Sequence, residues 1–170
     1  MSKRILVAGI GNIFLGDDGF GVEVVRRLTG RELPEGVEVA DFGIRGIDLV
    51  YALQDDYEAV VFVDATPRGE EPGTVYLLEP EIEEDGEVVL DTHGMDPVKV
   101  LKFARALGAR PARTLVVGCE PQEVISGEDY EDVLVKLSEP VRAVVEEAVR
   151  LVESLVEEIS RDGDKVQPER

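Results

Sequence analysis

The sequence predicts a three-layer α/β domain, with a mostly parallel five-stranded sheet between helices. Two observations predict it. Short, near-continuously apolar runs recur along the chain, as strands buried on both faces of a parallel sheet require. Between them lie segments with the apolar periodicity of helices, and strand–helix alternation is the pattern of parallel crossover units. At 170 residues the chain is long enough for one domain with a sizeable core. That domain is expected over residues 1–160, with 161–170, within "RDGDKVQPER", as a flexible tail.

The first run, "ILVAGI" (5–10), leads into a glycine-rich turn, "GNIFLGDDGFG" (11–21). A helix follows, in which Val22, Val24, Val25 and Leu28 form the apolar face and Glu23, Arg26 and Arg27 the wet one. "VEVADF" (37–42) is the second strand, and Ile47, Leu49, Val50 and Leu53 mark a short second helix. "AVVFVDA" (59–65) is the third strand. After the Pro- and Gly-rich loop "TPRGEEPG", "TVYLLE" (74–79) reads as a fourth. "DPVKVLKFARALG" (96–108) is helical, with Val100, Leu101, Ala104 and Leu107 on one face and Gly108 as its stop. "TLVVG" (114–118) is the fifth strand. A long amphipathic helix closes the domain from about Ser138, its expected N-cap, to about Ile159. Its stripe is Val141, Val144, Val145, Ala148, Val152, Leu155 and Ile159.

Charge and cysteine content exclude several classes of function. Against 37 acidic residues stand 18 basic ones, a formal net charge of −19. With no basic patch, nucleic acid and anionic membrane surfaces are not expected partners. A single cysteine, Cys119, allows no internal disulfide and fits a reducing compartment. The apolar part of the N-terminus is too short for a signal peptide, and no run approaches a membrane span. The expected location is the cytoplasm.

In doubly wound sheets, sites form at the carboxyl ends of the strands. Here those ends carry Asp17 and Asp18 after strand one, Asp41 at strand two and Asp64 at strand three. Glu120 and Gln122 follow strand five, and His93, the one histidine, lies in the loop "DTHGMDP". A dinucleotide fingerprint is disfavoured: Gly9-x-Gly11-x-x-Phe14 lacks the third glycine, and two carboxylates stand where a pyrophosphate would lie. Like charges a few ångströms apart repel by roughly 1–4 kcal/mol in partly wet surroundings. A cation is favoured instead. Two carboxylates and an imidazole make an O,O,N donor set suited to Ni²⁺ or Zn²⁺, with coordination positions left open.

Each of these residues also has a local reading. Asp18 before a helix is an ordinary N-cap, and Asp17 a solvated neighbour. Asp41 and Asp64 can bond local backbone at strand ends. A lone histidine in a glycine loop can be structural, and Cys119 a small buried hydrophobe. Their joint placement at one edge is what favours a site.

Five segments, "GIGNIFLGDDGFG", "DFGIRGIDL", "VVFVDAT", "THGMDP" and "VGCEPQE", carry a resemblance from about Arg4 to Ile159. In that order and spacing, the chain resembles the [NiFe]-hydrogenase maturation endopeptidases, which trim the C-terminus of the hydrogenase large subunit once its nickel is in place. The resemblance implies a twisted five-stranded sheet between helices and a metal-binding trio that falls on Asp18, Asp64 and His93. Asp at position 18 is a common variant of the family's Glu. Asp41 and Gly43 match a segment implicated in substrate recognition. The implied metal is Ni²⁺ carried by the substrate, for which Zn²⁺ or Cd²⁺ could substitute in crystals, and the implied partner is the large-subunit precursor.

Three other functions compete with this one. A phosphotransferase would use Asp64 as nucleophile, but the sequence continues Ala65-Thr66 and lacks an Asp-x-Asp motif. A nickel-binding assembly factor without catalysis is barely separable by sequence. A peptidase built on Cys119 and His93 is the weakest of the three.

Overall fold

The computed structural model describes residues 3–80, 96–122 and 136–162. His93 and the glycine loop around it therefore lie outside the described residues, as do residues 163–170 of the expected tail. Five strands form one sheet: β1 (Ile5–Ile10), β2 (Val37–Gly43), β3 (Ala59–Ala65), β4 (Val75–Leu78) and β5 (Arg113–Cys119). Their order is β2-β1-β3-β5-β4. All neighbours run parallel except β4, which pairs antiparallel with β5 at one edge.

The period-two alternation of the central strands divides the core in two. Ile5 and Val7 of β1, Val61 and Val63 of β3, and Leu115 and Val117 of β5 face one side. There they pack on α1 (Phe20–Leu28), α4 (Glu139–Arg142) and α5 (Val145–Asp162). Leu6, Ala8, Val60, Phe62 and Val116 face the other side, against α2 (Gly46–Ala52) and α3 (Pro97–Ala106). The result is the three-layer arrangement expected. Removing one of the large central side chains, such as fully buried Phe62, would cost about 3–5 kcal/mol.

Local chemistry sets the element ends. The Asp96 side chain caps α3 by accepting the Val98 N–H at 2.9 Å, with Pro97 in the first turn. Its C-terminus closes through Gly108, with the Ala109 N–H donating back to the Ala104 carbonyl at 3.0 Å. Gly21 in α1 sits so close to the sheet that a Cβ there would lie 2.0 Å from the Val63 carbonyl oxygen. This close approach lays α1 directly over β1 and β3.

Four expectations need correction. Ile47 and Leu107 are each 54% exposed, because Ile47 lies off the arc of Leu49, Val50 and Leu53, and Leu107 falls after the last turn of α3. The closing helix is two pieces, since the Val144 N–H bonds the Val141 carbonyl three residues back and tightens the turn between α4 and α5. It also runs to Asp162, past Ile159. Ser138 has the extended backbone of an N-cap, but its side chain makes no capping bond and is engaged elsewhere.

Candidate active site

β1 connects through α1 to β2 on one side of it, and β2 connects through α2 to β3 on the other side. The carboxyl ends of β1 and β3 thus flank the point where the winding reverses, which is where doubly wound sheets open a crevice. The residues that follow β1 fold into a single short 3-10 turn, η1 (Gly16–Gly19), which packs on β3.

Part of the restraint on that turn comes from the loop just before it. Asn12 Oδ1 accepts the Phe14 N–H at 2.9 Å and the Asn12 carbonyl accepts the Leu15 N–H at 3.1 Å. The Asn12 N–H in turn donates to Asp18 Oδ2 at 2.7 Å. Gly11 has φ of +131°, and a Cβ there would lie 1.9 Å from the Asp18 carbonyl oxygen. Only glycine lets the loop wrap so closely around Asp18. Asp18 does not cap α1, whose N-cap position is Gly19, so the helix-capping alternative for this residue falls away.

Asp18 and Asp64 are brought together. Asp64 is the penultimate residue of β3, opposite Gly118 of β5, and is 8% exposed. Its carboxyl is pushed well above the usual carboxylate range, first by burial and then by the Asp18 charge, with a smaller push from Asp96. The Ala65 N–H bonded to it pulls the other way. Asp18 is also raised, chiefly by burial and against the Asn12 N–H. Among the described residues neither carboxylate forms an ion pair, and no group of three His, Cys, Asp or Glu there could hold a metal. Of the trio that the family resemblance implies, Asp18 and Asp64 lie among the described residues and His93 lies outside them.

Asp41 and Gly43 stand at the end of β2, across β1 from Asp64. Asp41 and Val63 both lie level with Gly9, on opposite sides of β1. Strand spacing puts the Asp41 and Asp64 backbones roughly 10 Å apart. The pairing of β1 and β2 slips between Gly9 and Ile10, and the Gly11 N–H donates to the Gly43 carbonyl at 2.9 Å. Arg45 donates to the Asp41 carbonyl oxygen. Asp41 is half-buried. Phe14 and Ile44, on the two loops that this bond joins, are large apolar side chains left 54% and 67% exposed.

Two other carboxylates are structural, which sequence reasoning did not see. Asp17 is not solvated: it is 4% exposed and accepts three hydrogen bonds. Glu120 is buried and accepts the backbone N–H groups of Arg68, Gly69 and Glu70 and the Tyr76 hydroxyl. Burial pushes Glu120 up, but these four donors outweigh it and hold the carboxyl below its ordinary value. Gln122 faces solvent and contributes only its backbone N–H, to Asp17. Cys119 is fully buried, with its thiol pushed up to about 12 by burial and the neighbouring Asp17 and Glu120 charges. A thiolate nucleophile is not available there.

Three kinds of comparison point to one family. The family model of the hydrogenase maturation proteases matches residues 22–155, a span that includes Asp41, Gly43, Asp64 and His93. The hydrogenase expression/formation protein HoxM of Azotobacter vinelandii is 38% identical over 176 residues, covering 96% of this chain and 79% of its own. Among solved structures, the hydrogenase maturating endopeptidase HybD of E. coli superposes with a TM-score of 0.74 at 29% identity, covering 92% of this chain and 93% of its own. A hydrogenase 2 maturation peptidase of a Thaumarchaeota archaeon superposes with a TM-score of 0.68 at 33% identity, covering 91% and 99%. A family model over most of the chain, a relative 38% identical over nearly its whole length and the fold shared with solved peptidases carry the conclusion: the chain belongs to the hydrogenase maturation proteases and is an endopeptidase.

Proposed function

We propose that this endopeptidase removes the C-terminal peptide of a [NiFe]-hydrogenase large-subunit precursor after nickel insertion, and that it recognises the nickel. The observation that carries the reading is the juxtaposition of Asp18 and Asp64 at the switch point. A buried carboxylate, Asp64, and a half-buried one, Asp18, each raised by desolvation and with the Asp18 charge acting on Asp64, form a site that is electrostatically unfinished. A divalent cation completes it, because it replaces mutual repulsion with attraction and competes with protons for the same oxygens.

Oxygen donors from Asp18 and Asp64, with the imidazole of His93, fit nickel already seated in the precursor. Two carboxylates and one imidazole make an open, incomplete set, which gains from ligands that the precursor supplies. The metal then acts as a handle that brings the scissile peptide to the crevice, where either carboxylate can accept a proton from the attacking water. Asp41, Gly43 and the exposed apolar side chains of Phe14 and Ile44 offer the precursor a contact surface at the rim. The chain works away from the membrane in this reading. No helix among the described residues is long and apolar enough to cross one.

Mass spectrometry of a nickel-loaded precursor mixed with the purified chain tests the proposal. Loss of a C-terminal peptide is the expected result. An intact precursor mass in a stable complex would instead favour a non-catalytic assembly factor.

A further inference from the structure

Asp17 and Asp18 are adjacent in the sequence but serve opposite sides of the η1 turn. Asp18 meets the Asn12 N–H and couples to Asp64. Asp17 turns toward the end of β5 and the start of α4. Its Oδ1 accepts the Ser138 N–H at 2.7 Å, and its Oδ2 accepts both the Gln122 N–H and the Ser138 hydroxyl at 2.8 Å. Gln122 lies just beyond β5 and Ser138 just before α4, 105 and 121 residues away in the chain. One buried carboxylate therefore ties three distant segments together.

The turn that carries both aspartates has only four residues. A helical turn of that length cannot hold its own shape, because its few hydrogen bonds do not offset the dihedral freedom lost. Something outside it must fix it, and planar peptide units then pass that restraint from residue 17 to residue 18. The donors around Asp17 are also selective. Two are backbone N–H groups and one is a hydroxyl, so both side-chain oxygens must accept. An amide in place of the carboxylate would point its NH₂ at one or more of these donors.

We propose that Asp17 is a positioning residue: by anchoring η1 to Gln122 and Ser138 it fixes the Asp18 carboxylate against Asp64. Ser138 is its working partner, which explains why this serine begins a helix without capping it. The proposal rests on the reading of Asp18 and Asp64 as the reacting pair. Asp17 itself touches neither substrate nor Asp64 in this scheme.

The test is single-turnover cleavage of nickel-loaded precursor by the full-length chain, at a temperature where circular dichroism shows each variant folded. Wild type and Asp64→Ala are run beside Asp17→Asn, Ser138→Ala and Ser138→Thr. A misplacement of about 1 Å costs on the order of a hundredfold in rate, so Asp17→Asn should lower the maximal rate about 30- to 100-fold. The half-saturating precursor concentration should stay within about threefold, since uniform binding is untouched. Ser138→Ala should slow cleavage about three- to tenfold, and Ser138→Thr, which keeps the hydroxyl, should restore it. A staple with only a structural role would lower the melting temperature and leave the rate per folded molecule unchanged. A folded Asp17→Asn that cleaves at the wild-type rate overturns the proposal. If that variant does not fold, Ser138→Ala at the wild-type rate overturns it. Failure of the wild type to cleave would instead overturn the protease reading, and this proposal with it.

Discussion

Asp64 and Glu120 stand at the carboxyl ends of adjacent parallel strands, and both are almost wholly buried, 8% and 5% exposed. Their surroundings push them in opposite directions. Burial raises both. At Glu120 four donors then outweigh it, and the carboxyl lies below its ordinary value. At Asp64 one backbone N–H is set against the charge of Asp18, and the carboxyl lies well above. A carboxylate surrounded by donors is finished: it holds the loop after β3 by the backbone of residues 68–70. A buried carboxylate raised further by the charge of another is unfinished, and its burial makes sense only if a cation or a proton joins it. The contrast separates structural from functional acid within one sheet edge.

The largest expected effect falls on the unfinished member. Asp64→Ala should reduce processing by at least about a hundredfold, within the range general acid–base groups supply, with no loss of stability. Processing by Asp64→Ala at the wild-type rate, followed by mass spectrometry, would end the assignment. Glu120→Gln should do the reverse. It places an NH₂ among four donors and leaves at least one buried N–H without an acceptor, costing about 1–3 kcal/mol. Denaturant unfolding should show that loss, while the cleavage rate per folded molecule stays at the wild-type value.

The two residues should also give stability opposite slopes against pH. Asp64 has a raised native pKa, so ionising it costs more in the folded chain, and stability falls as pH rises from about 4, the ordinary carboxylate value, through the native one. Asp64→Asn should therefore be more stable than wild type at pH 8, with the difference vanishing on acidification. Glu120 has a depressed native pKa, so its contribution is present above the ordinary value and lost as pH falls through the native one. Glu120→Gln should be less stable than wild type at neutral pH and approach it in acid. Parallel slopes for the two variants in chemical denaturation would contradict the contrast. The smallest effect belongs to Cys119, fully buried beside Glu120: a thiol-alkylating reagent applied to the folded chain should leave cleavage unchanged.

The parts legible in the sequence were those that depend on local pattern. Continuous apolar runs in β1 and β3 and the stripe of α1 report burial directly, and the order of elements then implies a parallel sheet. Topology places Asp17, Asp18, Asp41 and Asp64 alike on one edge, and the family resemblance then singles out Asp18 and Asp64 as the expected pair. The structural part played by Asp17 was not legible. Its three donors come from Gln122 and Ser138, more than a hundred residues on, and no spacing rule links them. Glu120 was visible as a polar residue at the right edge, but its finished character depends on the loop at 68–70 folding back onto it. Ile47 misled because a short helix offers too few turns to define its apolar arc.

In the proposed function, Asp18 and Asp64 receive a cation brought by the substrate. Nickel-loaded and nickel-free precursor, each mixed with chelator-treated enzyme under otherwise equal conditions, test it most directly. The loaded precursor should lose its C-terminal peptide and the nickel-free precursor should resist, with prior chelation of the enzyme making no difference. Equal cleavage of the two precursors would contradict it.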